Sequence, residues 1–318
     1  MKREKVSYPY AADTSEYVLA LAGSDQSTAA KEKASKVWHI LQLVFTYIFL
    51  AVLGLVVIFP FYWMIITSLK TGDEIQALVQ TFYPHIVRWE NYTDAFQRLD
   101  FGTLLRNTLI VGILSTIGTL ITTILAAYAF ARLNFKGRDL MFGLLLGSMM
   151  IPGEMMVISN YISVSRLGWT SNSNTVGNFA AMIIPFWVSI FYIYLLRQNF
   201  KQIPNELYLA AKVDGKSDWE FLWKVMVPLA MPTLTTIFIL KLMGAWNSYV
   251  WPNLIASGNS KIYLITNGLR ETFSAADNVN DYGAQMAATV IVTVPLLLLF
   301  VFFRKYIMRG VGRAGIKG

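Results

Sequence analysis

The chain contains no cysteine and only two histidines, His39 and His85, among its 318 residues. The missing cysteines exclude disulfide scaffolds, cysteine-ligated zinc and thiolate catalysis, and two histidines leave little for a histidine metal cluster. Charge is scarce as well, because Asp, Glu, Lys and Arg make up 14 % of the residues, against roughly a quarter in an average soluble domain. With 55 % hydrophobic residues, this composition disfavours a soluble globular protein and indicates a membrane protein.

The charged residues stand in clusters that are separated by long uncharged runs. A hydrocarbon core about 30 Å thick requires roughly 20 apolar residues per helix. The runs therefore predict an all-α polytopic membrane protein with six transmembrane helices, at 39–66, 107–131, 140–165, 177–196, 225–255 and 282–303. Two of these spans contain an ionisable residue, Glu154 in the third and Lys241 in the fifth.

Lys and Arg lie mostly on one side of the predicted spans. The segments 1–36, 132–139, 197–224 and 304–318 hold nineteen of them, whereas the loops on the opposite side hold seven. Because cytoplasmic loops accumulate basic residues, the pattern predicts that both termini face the cytosol. The predicted organisation is a cytosolic tail, a first transmembrane anchor, an extracytoplasmic loop, a core of five transmembrane helices and a second cytosolic tail, at 1–36, 37–66, 67–103, 104–303 and 304–318.

The loop between the predicted fourth and fifth spans has the pattern of a helix, a turn and a second helix. Pro204 suits a first helical turn, and the Asp214-Gly215 pair ends that helix at a residue that tolerates positive φ. Ser217, followed three residues later by Glu220, is a capping-box pattern that starts the second helix. One face of the first helix is apolar and small, formed by Leu207, Ala210 and Ala211. Such a loop either lies on the membrane surface or binds another protein.

The segment 210–217 also matches a loosened Walker A pattern with Ala210 in place of the first glycine. A P-loop needs a preceding strand and a glycine-rich turn whose amides wrap the phosphates. Here the preceding residues have a helical pattern and the segment contains a single glycine, so nucleotide binding is not predicted. The sequence also lacks a catalytic triad, and we predict no enzymatic activity for this chain.

Five segments together carry a family resemblance. They are Ile203-Pro204, Ala210-Ala211 and Asp214-Gly215 with Pro228 and Pro232, then AAYAFAR at 126–132, MIPG at 150–153, WNSYVWP at 246–252 and AGIKG at 314–318. The first set resembles the EAA loop of ABC importer permeases, and all five together resemble the MalG-like permeases of the carbohydrate-uptake group. The resemblance covers roughly residues 37–318.

The resemblance implies one of two membrane subunits of a sugar-importing ABC transporter in the bacterial cytoplasmic (inner) membrane. The implied partners are a second homologous permease subunit, two nucleotide-binding ATPase subunits that hold ATP and Mg, an extracytoplasmic sugar-binding protein and the lipid bilayer, without nucleic acid. No cofactor is implied in this chain. The residues implied to couple the permease to the ATPase are Glu206, Leu207, Leu209, Ala210, Ala211, Asp214, Gly215, Ser217 and Trp219. Leu209 stands where the family usually has a Glu, with Glu206 three residues earlier.

Polar and aromatic residues inside the spans are candidates for lining a translocation path. Sugars are bound by aromatic faces together with amide and carboxylate hydrogen bonds, which selects Glu154, Asn160, Tyr161, Trp246, Asn247 and Tyr249. Kinks and interhelical hydrogen bonds are the structural alternative for each, and an ion pair between Glu154 and Lys241 is a further possibility. The competing functional hypothesis is an ion-coupled secondary transporter that uses Glu154 and Lys241 as its relay.

Overall fold

The computed structural model describes the backbone of residues 14–274 and 282–312, and the side chains of 37–273 and 282–305. Within these ranges the chain is helical and has no strand, which confirms the all-α prediction. The start of the predicted N-terminal tail and the 314–318 motif lie outside the described residues. The chain divides into two compact units, Met1–Trp63 and Met64–Gly318, whereas the five-part organisation expected from the sequence stays a prediction.

Three unbroken helices are long and apolar enough to cross a membrane. They are α1 (Thr14–Ser68), α4 (Phe101–Arg132) and α15 (Tyr282–Gly312), and their apolar parts are Val37–Ser68, Phe101–Arg132 and Tyr282–Lys305. These agree with the predicted first, second and sixth spans. Within the predicted N-terminal tail, the chain is helical from Thr14 and continuous with the span. This stretch is free of proline and rich in Ala, Lys and Glu, which favour helix.

The third, fourth and fifth predicted spans each consist of two helices that meet at a bend. Helices α5 (Arg138–Ser148) and α6 (Val157–Arg166) meet across a 3₁₀ turn at 90°. Helices α7 (Thr175–Ile183) and α8 (Ile190–Gln202) are bent by 46°. The fifth span is bent by 76° before α12 (Met231–Trp246). The described residues thus contain three candidate spans, or up to six if each bent pair is one span.

Prolines stand at or beside these bends, and a proline supplies no backbone hydrogen to the preceding helical turn. Pro152 precedes the 3₁₀ turn Gly153–Met156, and Pro185 lies in the 3₁₀ turn Ile184–Phe186. Pro228 and Pro232 flank the third bend. The fifth span is interrupted a second time, because α12 ends at Trp246 and the next helix begins at Val250.

The remaining helices are short and connect the spans. They are α2 (Gly72–Gln76), α3 (Glu90–Arg98), α9 (Asn205–Val213), α10 (Asp218–Phe221), a π-helix (Leu222–Met226), α11 (Val227–Leu229), α13 (Val250–Ala256), a 3₁₀ turn (Ser260–Ile262) and α14 (Ile265–Ser274). Helices α2 and α3 lie in the segment predicted as the extracytoplasmic loop. A capping box between Thr71 and Glu74 begins α2, which follows the pairing of a hydroxyl with a carboxylate three residues later.

One hydrophobic cluster joins α4, α8 and the segment that follows α9. Leu196 and Phe200 of α8 are fully buried in it, together with Phe221, Leu222 and Met226. The short helix α10 and the π-helix are therefore part of the core. Burial of this apolar surface is what orders two segments that are too short to be stable helices alone.

Gly118 in α4 allows the closest approach between α4 and the bend of the fourth span. A methyl group at this position would lie 2.2 Å from the indole nitrogen of Trp187. Beside it, the Thr119 hydroxyl donates to the Phe186 carbonyl at 2.9 Å. The bend is thus held directly against the helix backbone.

We expect Gly118→Ala to displace Trp187 and to destabilise the protein by about 1–3 kcal/mol, the usual cost of overpacking. The thermal midpoint of the detergent-solubilised protein measures this. Gly102→Ala is the matched control in the same helix, because its nearest contact would be 3.8 Å away. An equal midpoint for the two variants would contradict the close packing at Gly118.

Candidate functional site

The segment 204–221 forms the predicted helix, turn and helix. Helix α9 ends at Val213, and Gly215 has φ +72°, in the left-handed region that favours glycine. Ser217 caps α10, its hydroxyl accepting from the Glu220 amide while the Glu220 carboxylate accepts from the Ser217 amide. Pro204 lies just before the first helical residue, Asn205, rather than within the first turn as predicted. The local sequence signals therefore determine both helix ends.

Asp218, the first residue of α10, connects three parts of the structure. Its Oδ1 accepts hydrogen bonds from the Tyr208 hydroxyl at 2.9 Å and the Tyr128 hydroxyl at 3.3 Å. It also pairs with the Lys212 ammonium at 3.1 Å. We call these four residues the Asp218 cluster. It ties α9 to α10 and ties both to α4.

The hydrogen bond to Asp218 raises the pKa of the Lys212 ammonium above its usual 10.5. Lys212 is therefore positively charged throughout the neutral range. For Lys212, the raised pKa means that its contribution to stability is fully present below pH 10.5 and is lost as the pH rises through the folded-state value. The hydrogen bond with Lys212 lowers the pKa of Asp218, so the contribution of Asp218 is lost only as the pH falls through its folded-state value. The ion pair consequently operates at physiological pH, although it is part-exposed and therefore weak by itself.

The sequence had not singled out Asp218, Tyr128 or Tyr208. An acidic residue in the first turn of a helix is common because it interacts favourably with the helix dipole, so Asp218 carried no distinctive signal. Tyr128 is 90 residues away along the chain. Only the packing of α4 against the loop brings these groups together.

The outer side of the helix-turn-helix is apolar and exposed. Leu207, Leu209 and Trp219 have exposed fractions of 42, 55 and 61 %. A groove of about 240 Å³ lies between α9 and α10, and four of the coupling candidates line it: Leu207, Ala210, Ala211 and Asp214. The other five, Glu206, Leu209, Gly215, Ser217 and Trp219, are outside its lining. Glu206 is exposed and forms no ion pair with any residue for which side chains are described.

The structure disperses the six candidates for a translocation path. Glu154 lies exposed in the 3₁₀ turn between α5 and α6, and no ion pair joins it to Lys241 in the described chain. Asn160 and Tyr161 are half-buried in α6. A 90° bend separates α5 from the helix that carries Asn160 and Tyr161. The role of the six residues in a translocation path stays a prediction.

The WNSYVWP segment is divided by the break between α12 and α13. Trp246 is 7 % exposed and packs in a core cluster with Ile265 and Phe273. Asn247 is exposed, and its amide donates to the Met243 carbonyl at 3.0 Å. The Tyr249 carbonyl accepts from the Asn267 amide at 3.1 Å, and the Arg270 guanidinium lies 4.6 Å from the Tyr249 ring centre.

A cavity of about 310 Å³ lies between α4, α7, α8, α12 and α13, and it contains none of those six candidates. Its lining residues are Val111, Ser115, Met182, Phe186, Tyr192, Leu240, Lys241, Gly244, Ala245, Ser248, Trp251, Pro252 and Leu264. The Trp251 indole donates to the Ala181 carbonyl at 3.0 Å, so its ring is fixed. The sequence places the ionisable residue Lys241 inside a predicted span, and in the structure this residue lines the cavity.

No group of three metal-binding side chains occurs in the portion of the chain that the structure describes. The site therefore offers two features for function: an exposed apolar helix-turn-helix tied to α4, and a cavity that combines aromatic rings, hydroxyls and one ammonium group.

We expect Asp218→Ala to loosen α9, because it removes the carboxylate that the other three residues of the Asp218 cluster contact. Amide hydrogen exchange of residues 205–217 should become faster, while exchange in α15 stays unchanged. Glu206→Gln is the control, since it neutralises a carboxylate of α9 that takes no part in the Asp218 cluster. Unchanged exchange in Asp218→Ala would show that the cluster does not hold α9.

Comparison with known proteins places this geometry among membrane transport components. Residues 118–313 match the family model described as "Binding-protein-dependent transport system inner membrane component". The chain is 28 % identical over 274 residues to the Bacillus subtilis (strain 168) arabinooligosaccharides transport system permease protein AraQ, covering 85 % of this chain and 94 % of AraQ.

A second relative is the sn-glycerol-3-phosphate transport system permease protein UgpE of Pectobacterium atrosepticum. It is 26 % identical over 273 residues, which cover 84 % of this chain and 95 % of UgpE. Among solved structures, a bacterial ABC transporter involved in the import of the acidic polysaccharide alginate contains a similar chain, with a TM-score of 0.72 and 24 % identity over 83 % of this chain and 95 % of that one. The similarity to this solved structure shows that the two chains share a fold.

Proposed function

The chain belongs to the binding-protein-dependent transport system inner membrane components, and from this membership we propose that it forms half of the translocation pathway for a sugar or oligosaccharide in an ABC importer. The observation that carries the proposal is the family match over 118–313, a range that contains the helix-turn-helix and four of the five helices around the cavity, α7, α8, α12 and α13. The arabinooligosaccharide permease relative supports a carbohydrate substrate.

We propose a topology of six spans in the bacterial inner membrane, in which each bent pair of helices crosses once. Both termini then face the cytosol, with nineteen Lys and Arg residues on that side against seven on the other. This orientation puts α9 and α10 in the cytosol. The apolar face of α9 then meets a soluble partner subunit rather than the bilayer.

In this proposal the helix-turn-helix is the EAA coupling loop, and ATP with Mg²⁺ is bound and hydrolysed on a pair of separate ATPase subunits. Docking of an apolar helix in a groove depends mainly on buried area, and the exposed Leu207 and Leu209 supply that area. The absence of the family's usual Glu at position 209 removes at most a surface ion pair, worth about 0–1 kcal/mol. Closure of the ATPase dimer pushes α9, and the Asp218 cluster passes the displacement to α4.

The remaining partners follow from the same proposal. A second, homologous permease subunit supplies the other half of the pathway, and an extracytoplasmic sugar-binding protein delivers the substrate, as the family's description as binding-protein-dependent indicates. The predicted extracytoplasmic segment contains several exposed aromatic side chains, among them Phe82, Tyr83 and Trp89. These are suitable contacts for the delivery protein.

Uptake of labelled saccharide into membrane vesicles tests the proposal. We expect uptake to require ATP, the ATPase subunits and the binding protein, because this chain is proposed to have no energy-converting site of its own. Dissipating the proton and sodium gradients should leave uptake unchanged. Uptake driven by an ion gradient with this chain alone would instead support the secondary-transporter hypothesis based on Glu154 and Lys241.

We expect Gly215→Val to uncouple ATP hydrolysis from uptake while leaving membrane insertion intact. A β-branched residue at φ +72° is strained by roughly 1–2 kcal/mol or more, so the turn between α9 and α10 changes shape. The ratio of ATP hydrolysed to substrate transported measures the effect. Gly215→Asn is the matched control, because Asn tolerates the left-handed region, and normal coupling in Gly215→Val would count against the role of this turn.

A further inference from the structure

Lys241 carries a charge that the rest of the described protein does not neutralise. The residue lies inside α12, at the depth of a proposed span, where an ammonium group is costly and normally faces a partner or a wet cavity. Its Nζ donates to the Phe186 carbonyl at 3.1 Å and lies 5.6 Å from the Phe186 ring centre. An ammonium has three donors, and no carboxylate forms an ion pair with this one among the side chains that the structure describes.

The surroundings of Lys241 have the chemistry of a saccharide site with one cationic end. Aromatic rings of Phe186, Tyr192 and Trp251 line the cavity, and Ser248 adds a hydroxyl. The Phe186 and Trp251 rings pack edge to face with centres 5.6 Å apart, which holds the aromatic wall in place. Within the described residues, the hydroxyls of Tyr192 and Ser248 form no hydrogen bond to protein. No acidic residue belongs to the lining.

The donors that remain free at this cavity therefore include an ammonium and two hydroxyls, beside apolar rings. A sugar ring packs on aromatic faces and bonds to hydroxyls, but a neutral sugar leaves the ammonium without a counter-charge. An anionic group on the sugar pairs with it through a charge-assisted hydrogen bond, which is stronger than a bond between neutral groups.

We propose that this cavity binds an anionic saccharide and that Lys241 is the specificity residue that selects its carboxylate or phosphate group. The proposal rests on the proposed function and names the substrate class for the same pathway. It makes the lining around Lys241, rather than Trp246, Asn247 and Tyr249, the part of this chain that discriminates between substrates.

The test uses cells that express the complete transporter with its own binding protein. The probes are a radiolabelled galacturonate disaccharide, the methyl ester of the same disaccharide, and a hexose 6-phosphate. The disaccharide and its ester share the same sugar rings, and esterification removes the negative charge at the cost of an added methyl group. The phosphate distinguishes a phosphate site from a carboxylate site. We expect ATP-dependent uptake of one of the two anionic probes to exceed uptake of the ester by on the order of tenfold.

Lys241→Gln should lower uptake of the preferred anion on the order of tenfold and leave uptake of the ester unchanged, while Lys241→Arg retains the preference. Lys136→Gln, which removes an exposed lysine in the loop before α5, is the matched control and should behave as the parent. Co-purification with the partner subunits checks assembly. If Lys241→Gln fails to assemble, two other measurements test the proposal. They are the preference of the parent transporter for the anion and a reduced uptake of the anion in Tyr192→Phe.

Equal uptake of the anion and the ester, or uptake of the ester alone, overturns the inference and leaves the proposed importer function standing. An equal loss of both probes in Lys241→Gln also overturns it, since a structural lysine acts on every substrate alike. That result would be expected if a carboxylate of the second permease subunit neutralises Lys241. A transporter that takes up no saccharide in an ATP-dependent manner fails at the proposed function itself.

Discussion

Near the ends of α4 and α8, an arginine side chain of each helix donates hydrogen bonds to backbone carbonyls of the other. The position of the helix-turn-helix depends on these hydrogen bonds. Arg132, the last residue of α4, donates to the carbonyls of Phe200 and Ile203 at the end of α8. Arg197 of α8 donates in return to the Phe130 carbonyl of α4 at 3.1 Å. The last carbonyls of a helix have no donor within that helix, so each helix supplies what the other lacks. Because Ile203 immediately precedes the loop, these hydrogen bonds hold the start of the loop against the end of α4.

Both ends of α9 are therefore attached to one turn of α4. Arg132 holds the start of the loop, and Tyr128, which is four residues earlier and on the same face of α4, reaches Asp218 beyond the end of α9. Helix α4 continues without a break as far as Ser115 at the cavity, a distance of about 25 Å at roughly 1.5 Å per residue. In the proposed importer, α4 is thus a rigid rod between the coupling loop and the substrate cavity, while the neighbouring spans are bent.

The sequence predicted the helix ends of the loop but did not specify the bend angles of the spans, for physical reasons. Gly215 and Ser217 act through their own backbone and nearest neighbours, so a local pattern suffices. A hydropathy pattern counts apolar residues and contains no information on the direction of the backbone. The positions of the prolines do not predict the bends either, because Pro60 and Pro295 lie inside helices α1 and α15, which continue past them. Whether a proline ends a helix depends on the neighbouring segments that bind the freed carbonyls.

The cavity shows what a sequence pattern can and cannot reveal about a site. Lys241, Gly244 and Ala245 follow the spacing of one face of α12, and that face lines the cavity. The more polar and aromatic segment 246–249 was the stronger sequence candidate. Trp246, however, is the last residue of α12 and lies on a different face of that helix, where it is buried in the core together with Leu242. The sequence therefore contains the helical face of small residues around Lys241, but only the packing of the folded chain determines which face encloses a cavity.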